Sequence, residues 1–168
     1  MRKPIFILLS ILLFVIFVFG LYPLQILSVK DGEGNIKYWQ FINEKDQFTI
    51  SCIHSVEKTP VDEIYSIQNG DIVLKETVYS DFGAGLPYQA TGTQKFSHEG
   101  KVFRITGYNI EIPVLYIRVG RFAEHTFTFE DKEYKLTKWA KPGENLAFDI
   151  EKTNLFHLFW NYIREGKQ

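Results

Sequence analysis

The sequence predicts an all-β domain, a sandwich or barrel-like fold of about ten short antiparallel strands. An N-terminal transmembrane helix is expected before it and a short C-terminal helix after it. Three observations carry this. From residue 24 to residue 152, apolar and polar residues alternate in short runs, the pattern of strands whose side chains point to opposite faces in turn. Gly, Asn, Asp and Pro interrupt those runs at the spacing expected of sandwiches and barrels. The two ends of the chain lack the alternation and read as helices.

The N-terminal end comes first. Arg2 and Lys3 precede an uncharged run from Pro4 to Leu27 rich in Ile, Leu, Phe and Val. About 20 apolar residues suffice to span a bilayer as a helix, and flanking positive charge stays on the cytoplasmic side. Val18-Phe19-Gly20 is a poor cleavage site, because Ala-x-Ala is preferred there and bulky Leu21 and Tyr22 follow. Residues 1–23 therefore read as an uncleaved signal anchor, single-pass in the cell membrane. The expected β domain of residues 24–152 then lies on the extracytoplasmic side.

Within that domain, Leu24–Lys30 and Ile36–Asn43 flank Asp31-Gly32-Glu33-Gly34-Asn35, a hairpin connection. Gln47–Ser55 sets Phe48, Ile50 and Cys52 on one face. Val61–Gln68 and Asp71–Tyr79 follow, joined by the tight-turn signal Asn69-Gly70. Ser80–Gly92 loses the alternation. Strands resume at Thr93–Ser97 and Val102–Thr106. Pro113–Val119 is apolar on both faces, as for a central strand. Glu124–Glu130 and Glu133–Lys138 flank another turn, and Leu146–Glu151 closes the series. In residues 153–168, Thr153 or Asn154 caps a helix reaching Glu165, with Leu155, Phe156, Phe159, Tyr162 and Ile163 on one broad face. Packing of that face on the β domain is the first expectation, and the lipid interface the second.

Composition narrows the function. The chain of 168 residues holds 15 Phe, 9 Tyr and 3 Trp, enough for a substantial core, and its net charge of −1 offers no basic block for nucleic acid. Cys52 is alone, which excludes an intrachain disulfide. His54, His98, His125 and His157 are scattered without metal-ligand spacing, so no metal is expected. No cofactor is implied.

The densest chemistry lies in His54-Ser55-Val56-Glu57-Lys58-Thr59-Pro60-Val61-Asp62-Glu63. A hairpin centred on Lys58 and Thr59 puts His54 directly opposite Glu63, with Cβ atoms about 4.5–5.5 Å apart. One reading is a ligand or partner site in which Glu63 orients the imidazole while Ser55, Glu57 and Thr59 present polar groups beside it. A second is a satisfied His–Glu pair that stiffens a sheet corner. A third, weaker reading is an envelope enzyme with His54 as general base. Ser55 is no nucleophile for it, since strand neighbours point to opposite faces, so no catalytic residue is assigned. The later Gly83-Ala84-Gly85-Leu86-Pro87 loop either presents backbone amides to an anion or turns a corner between sheets.

Those two segments together resemble a known family. His54-Ser55-Val56-Glu57-Lys58-Thr59-Pro60-Val61-x-Glu63, followed by Tyr79-Ser80-x-Phe82-Gly83-Ala84-Gly85-Leu86-Pro87, is similar to the bacterial domain of unknown function eighteen-fifty over roughly residues 24 to 152. Cys52 stands where that family leads one to expect an aromatic residue. The resemblance implies an association with TAXI-type TRAP transporters, which pair an extracytoplasmic solute receptor with a fused membrane permease. It thus implies an accessory protein of solute uptake, a module binding the receptor, the permease or a small anion. Its signature is His54, Ser55, Glu57, Thr59, Pro60, Glu63, Gly83, Gly85 and Pro87.

Overall fold

A computed structural model describes residues 3–80 and 89–165. Helix α1 spans Lys3–Gly20. The strands are β1 (Leu24–Lys30), β2 (Ile36–Phe41), β3 (Gln47–Ile53), β4 (Pro60–Gln68), β5 (Asp71–Tyr79), β6 (Lys95–Glu99), β7 (Val102–Ile112), β8 (Val114–Arg118), β9 (Thr126–Phe129), β10 (Lys132–Lys135) and β11 (Asn145–Thr153). Helix α2 spans Leu155–Glu165. The chain divides into two compact units, Leu27–Ile150 and the two chain ends outside it.

The unit Leu27–Ile150 holds two antiparallel sheets. One has four strands in the order β2-β1-β11-β8, and the other has seven in the order β10-β9-β3-β4-β5-β7-β6. Alternation explains why they face each other. Phe48 and Ile50 of β3, Tyr65 and Ile67 of β4, and Phe127 and Phe129 of β9 all point inward from the large sheet. Leu27 and Val29 of β1, Leu115 of β8, and Leu146 and Phe148 of β11 meet them from the small one. Phe148 lies 5.4 Å from Phe127 and 6.1 Å from Phe48 between ring centroids, the latter pair stacked. Burying a side chain of this size contributes about 1.5–3 kcal/mol, so this aromatic seam is what holds the sheets together. The architecture is a sandwich.

Local chemistry sets the connections. Asn69 and Gly70 both take positive φ (55° and 83°) between paired Gln68 and Asp71, the primed turn that a two-residue hairpin needs. Asp31 caps its own loop by accepting from the Glu33 and Asn35 amides at 3.0 and 2.9 Å. Lys37 lies 2.9 Å from the same carboxylate.

Two strand expectations change. The segment expected to be a central strand is β8, at an edge of the four-stranded sheet, with Tyr116 68 % exposed. Its apolar residues on the outer face made it look doubly buried. Strand β7 continues past Thr106 to Ile112, because Gly107 at φ 80° lets the chain bend while pairing to β5 resumes after an irregularity between Leu74 and Glu76.

In the other unit, α1 stops at Gly20, where the Leu21 amide still donates to Phe17 O at 3.2 Å, and Pro23 precedes the extended backbone of β1. The uncharged run of the sequence is therefore shared between a helix and a strand. Eighteen helical residues rise only about 27 Å, against about 30 Å of bilayer hydrocarbon. Among the described residues no helix is long and apolar enough to cross a membrane, so the expected transmembrane helix is not shown. Its side chains from Phe6 to Phe19 are apolar except Ser10, whose hydroxyl donates to Ile7 O at 2.8 Å. At the other end, Asn154 caps α2, its Oδ1 accepting from the His157 amide at 2.9 Å, as the sequence leads one to expect.

Candidate functional site

The β3–β4 connection decides where the sequence-predicted residues fall. Ile53 pairs with Pro60, Ile50 with Glu63 and Phe48 with Tyr65. The hairpin is thus centred between Val56 and Glu57, not on Lys58 and Thr59. Glu63 lies opposite Ile50, and the predicted cross-strand His54–Glu63 pair does not form. Level with His54 is Thr59, and four residues of strand beyond it offset Glu63 by about 13 Å.

Local hydrogen bonding explains the shift. The His54 amide donates to Thr59 O at 2.8 Å, and His54 O accepts from the Lys58 amide at 3.0 Å. The imidazole Nδ1 accepts from the Glu57 amide at 3.2 Å, with the Val56 amide at 3.4 Å. Lys58, at φ 56°, supplies the left-handed residue that closes the loop. His54 therefore acts as a turn cap in the manner of an Asx residue. Ser55 and Lys58 are exposed, Glu57 and Thr59 half-buried. Thr59 Oγ1 is buried and has no hydrogen-bond partner among the described residues. Gly83, Gly85 and Pro87 lie outside the described residues.

The slip is by an even number of residues, so Glu63 keeps its expected face. Directly paired residues form a row across the large sheet, Phe127–Ile50–Glu63–Thr77–Ile105. Glu63 is a carboxylate in an apolar row turned to the core, which is costly unless it is hydrogen-bonded. The Tyr65 hydroxyl meets it, donating to Oε2 at 2.7 Å. Tyr65 is 2 % exposed, and burial together with the Glu63 charge raises its phenol well above the usual range.

Two further groups belong to this corner. Burial, and then the charge of Glu63, raise the Cys52 thiol and so favour its protonated form. His125 precedes β9, and its Nδ1 accepts from the Gly120 amide at 3.1 Å. That fixes the tautomer and leaves Nε2 as the ring donor. Burial lowers the His125 pKa below the ordinary 6.5, while the Glu63 charge partly opposes it. Gly120 is what permits the approach, since a Cβ there would come within 2.8 Å of Ala123 Cβ and 3.1 Å of His125 Cε1. By spacing alone His125 is one of four scattered histidines. The signal that finds it is phase, because it continues the inward series of Phe127 and Phe129.

The loop holding His125 is tied to the hairpin by the Ile53 amide, which donates to Ala123 O at 2.7 Å. Two apolar side chains stand out from the joined loops, Val56 at 62 % and Phe122 at 83 % exposure. Strand pairing sets Tyr79 beside Val61, so Ser80 leaves the sheet at this same end. The corner thus combines a carboxylate, a phenol, a thiol and a neutral imidazole below an apolar two-loop tip. Among the described residues, no group of three or more His, Cys, Asp and Glu side chains is placed to hold a metal ion.

The family described as domain of unknown function (DUF1850) matches residues 48–136, just over half of the chain. That stretch runs from Phe48 in β3 to Leu136 and includes the hairpin, Glu63, Tyr65 and His125. No curated protein and no solved structure matches the chain.

Proposed function

The chain belongs to the DUF1850 family, and we propose that it is a membrane-anchored extracytoplasmic accessory module of a TAXI-type TRAP solute transport system, docking on the solute receptor or the permease through the tip of its hairpin corner. The observation that carries the docking surface is the pair of joined loops that hold Val56 and Phe122 in solvent. Exposed aromatic residues on a rigid support are the usual anchors of protein contacts. The transporter as partner rests on the resemblance of the two signature segments. The anchor rests on α1, whose exposed side chains from Phe6 to Phe19 are apolar except Ser10 and which begins at Lys3, after Arg2. A hydrophobic helix slightly shorter than the hydrocarbon layer is accommodated by local thinning of the bilayer.

Protein contact is favoured over small-anion binding because Glu63 and its polar neighbours Tyr65, Cys52 and His125 include no fixed cation. The acid–base alternative needs His54 against Glu63, and the strand register separates them. The test is affinity capture of the tagged chain from its native membrane in mild detergent. Recovery of a solute receptor or permease that falls when Phe122→Ser and Val56→Ser are combined supports the reading. Capture of no transporter component contradicts it.

A further inference from the structure

The unit formed by the chain ends contains a second apolar element whose place the anchor alone does not explain. In α2, Leu155, Phe156, Phe159, Trp160 and Ile163 are 48, 42, 63, 62 and 39 % exposed. At 100° per residue these five share an arc of about 140°, so one side of the helix is a continuous apolar face. His157, exposed and 3.3 Å from Thr153 Oγ1, lies off that arc.

The face is continuous with α1. The Phe156 and Phe17 rings lie 6.2 Å apart, tilted at 45°. Phe156 also covers Gly20, where a Cβ would come within 2.3 Å of its Cε2 and Cζ atoms. Only a residue without a side chain admits the ring there. Glycine at the end of α1 therefore acts as a seat that sets α2 against the membrane end of the chain.

We infer that α2 lies in the lipid interface of the bilayer that receives α1, with Phe156, Phe159 and Trp160 among the acyl chains and headgroups and with the Gly20–Phe156 contact fixing its position. The inference rests on the anchor reading above. A lipid surface fits this face better than a second protein: it is aromatic, lies along a short helix and adjoins a helix that is apolar all round. Tryptophan favours the interface, where its ring is half in hydrocarbon and its N–H reaches water or headgroups.

The test uses the full chain reconstituted in phosphatidylcholine–phosphatidylglycerol vesicles, with flotation and with tryptophan quenching by brominated lipid. Flotation reports the anchor and quenching reports α2. The inference expects wild-type protein to float and to show quenching that Trp160→Phe abolishes. It expects Gly20→Val to float equally but with reduced Trp160 quenching, because Phe156 loses its seat. Flotation with equal quenching in wild type and Trp160→Phe overturns the inference while leaving the anchor intact. Absence of flotation overturns both. Protection of Trp160 by a crosslinkable second copy, without lipid quenching, also overturns it.

Discussion

The Tyr65 hydroxyl donates to Glu63 Oε2 at 2.7 Å, two residues along the same strand, with both side chains turned to the core of the sandwich. Each makes the other's burial tolerable. Glu63→Ala strands a buried phenol and is expected to destabilise the chain by about 1–3 kcal/mol, whereas Glu63→Gln keeps an acceptor and costs less. Urea unfolding of the two variants measures the difference, and equal losses would refute the pairing as its cause.

His54 serves the backbone of its own loop. Replacing it by Ala leaves the Glu57 amide without its acceptor, a loss of about 0.5–2 kcal/mol by analogy with helix caps. Asn can accept the same bond, so His54→Asn is expected to recover most of the stability. Partner capture per folded molecule should stay unchanged in the Asn variant, which keeps the loop that carries Val56. A capture defect in the stable Asn variant would assign the imidazole a role in contact instead.

His125 predicts a pH dependence. Its folded pKa lies below 6.5, chiefly through burial, so the unfolded chain takes up the proton more readily. The contribution of neutral His125 to stability is complete above pH 6.5 and falls away as the pH drops from there toward the depressed folded value. His125→Asn, which retains an acceptor for the Gly120 amide, should flatten the fall in stability below pH 6.5. Denaturation midpoints across that range decide it, and an unchanged slope in the variant rules His125 out as the source.

Gly120 holds the same loop. Gly120→Ala pushes a methyl group against Ala123 and the His125 ring, an overpacking worth about 1–3 kcal/mol. Because Phe122 stands on that loop, transporter capture should fall as well. Full capture by this variant would separate the tip from the partner.

Much of this fold is legible in the sequence because strand alternation and turn chemistry are local. β1 and β5 have the expected bounds, Asn69-Gly70 makes its hairpin, and Asn154 caps α2. Register is less legible, since it depends on how a loop satisfies its own amides. His54 Nδ1 and the left-handed Lys58 build a six-residue connection centred between Val56 and Glu57, where the expected centre is Lys58 and Thr59. Glu63 still faces inward because the slip preserves the strand phase. Glu63 and Tyr65 share a strand phase, but the expected partner of Glu63 is His54, and the hydrogen bond to Tyr65 comes from the structure alone. The contribution of His125 is less legible, because it lies more than sixty positions later, just before β9, and follows Glu124 at φ 43°. At the N-terminal end the uncharged run divides where the sequence leads one to expect, with α1 ending at Gly20 and β1 beginning at Leu24, just after Pro23.

The central claim is that the two-loop tip docks on a transporter component. A photo-crosslinking residue at position 122 in the full chain tests it directly in native membranes, with position 133 on exposed β10 as the control. The account predicts a covalent product with the solute receptor or the permease from position 122 and none from position 133. Irradiation that links neither protein at 122, or both positions alike, would contradict it.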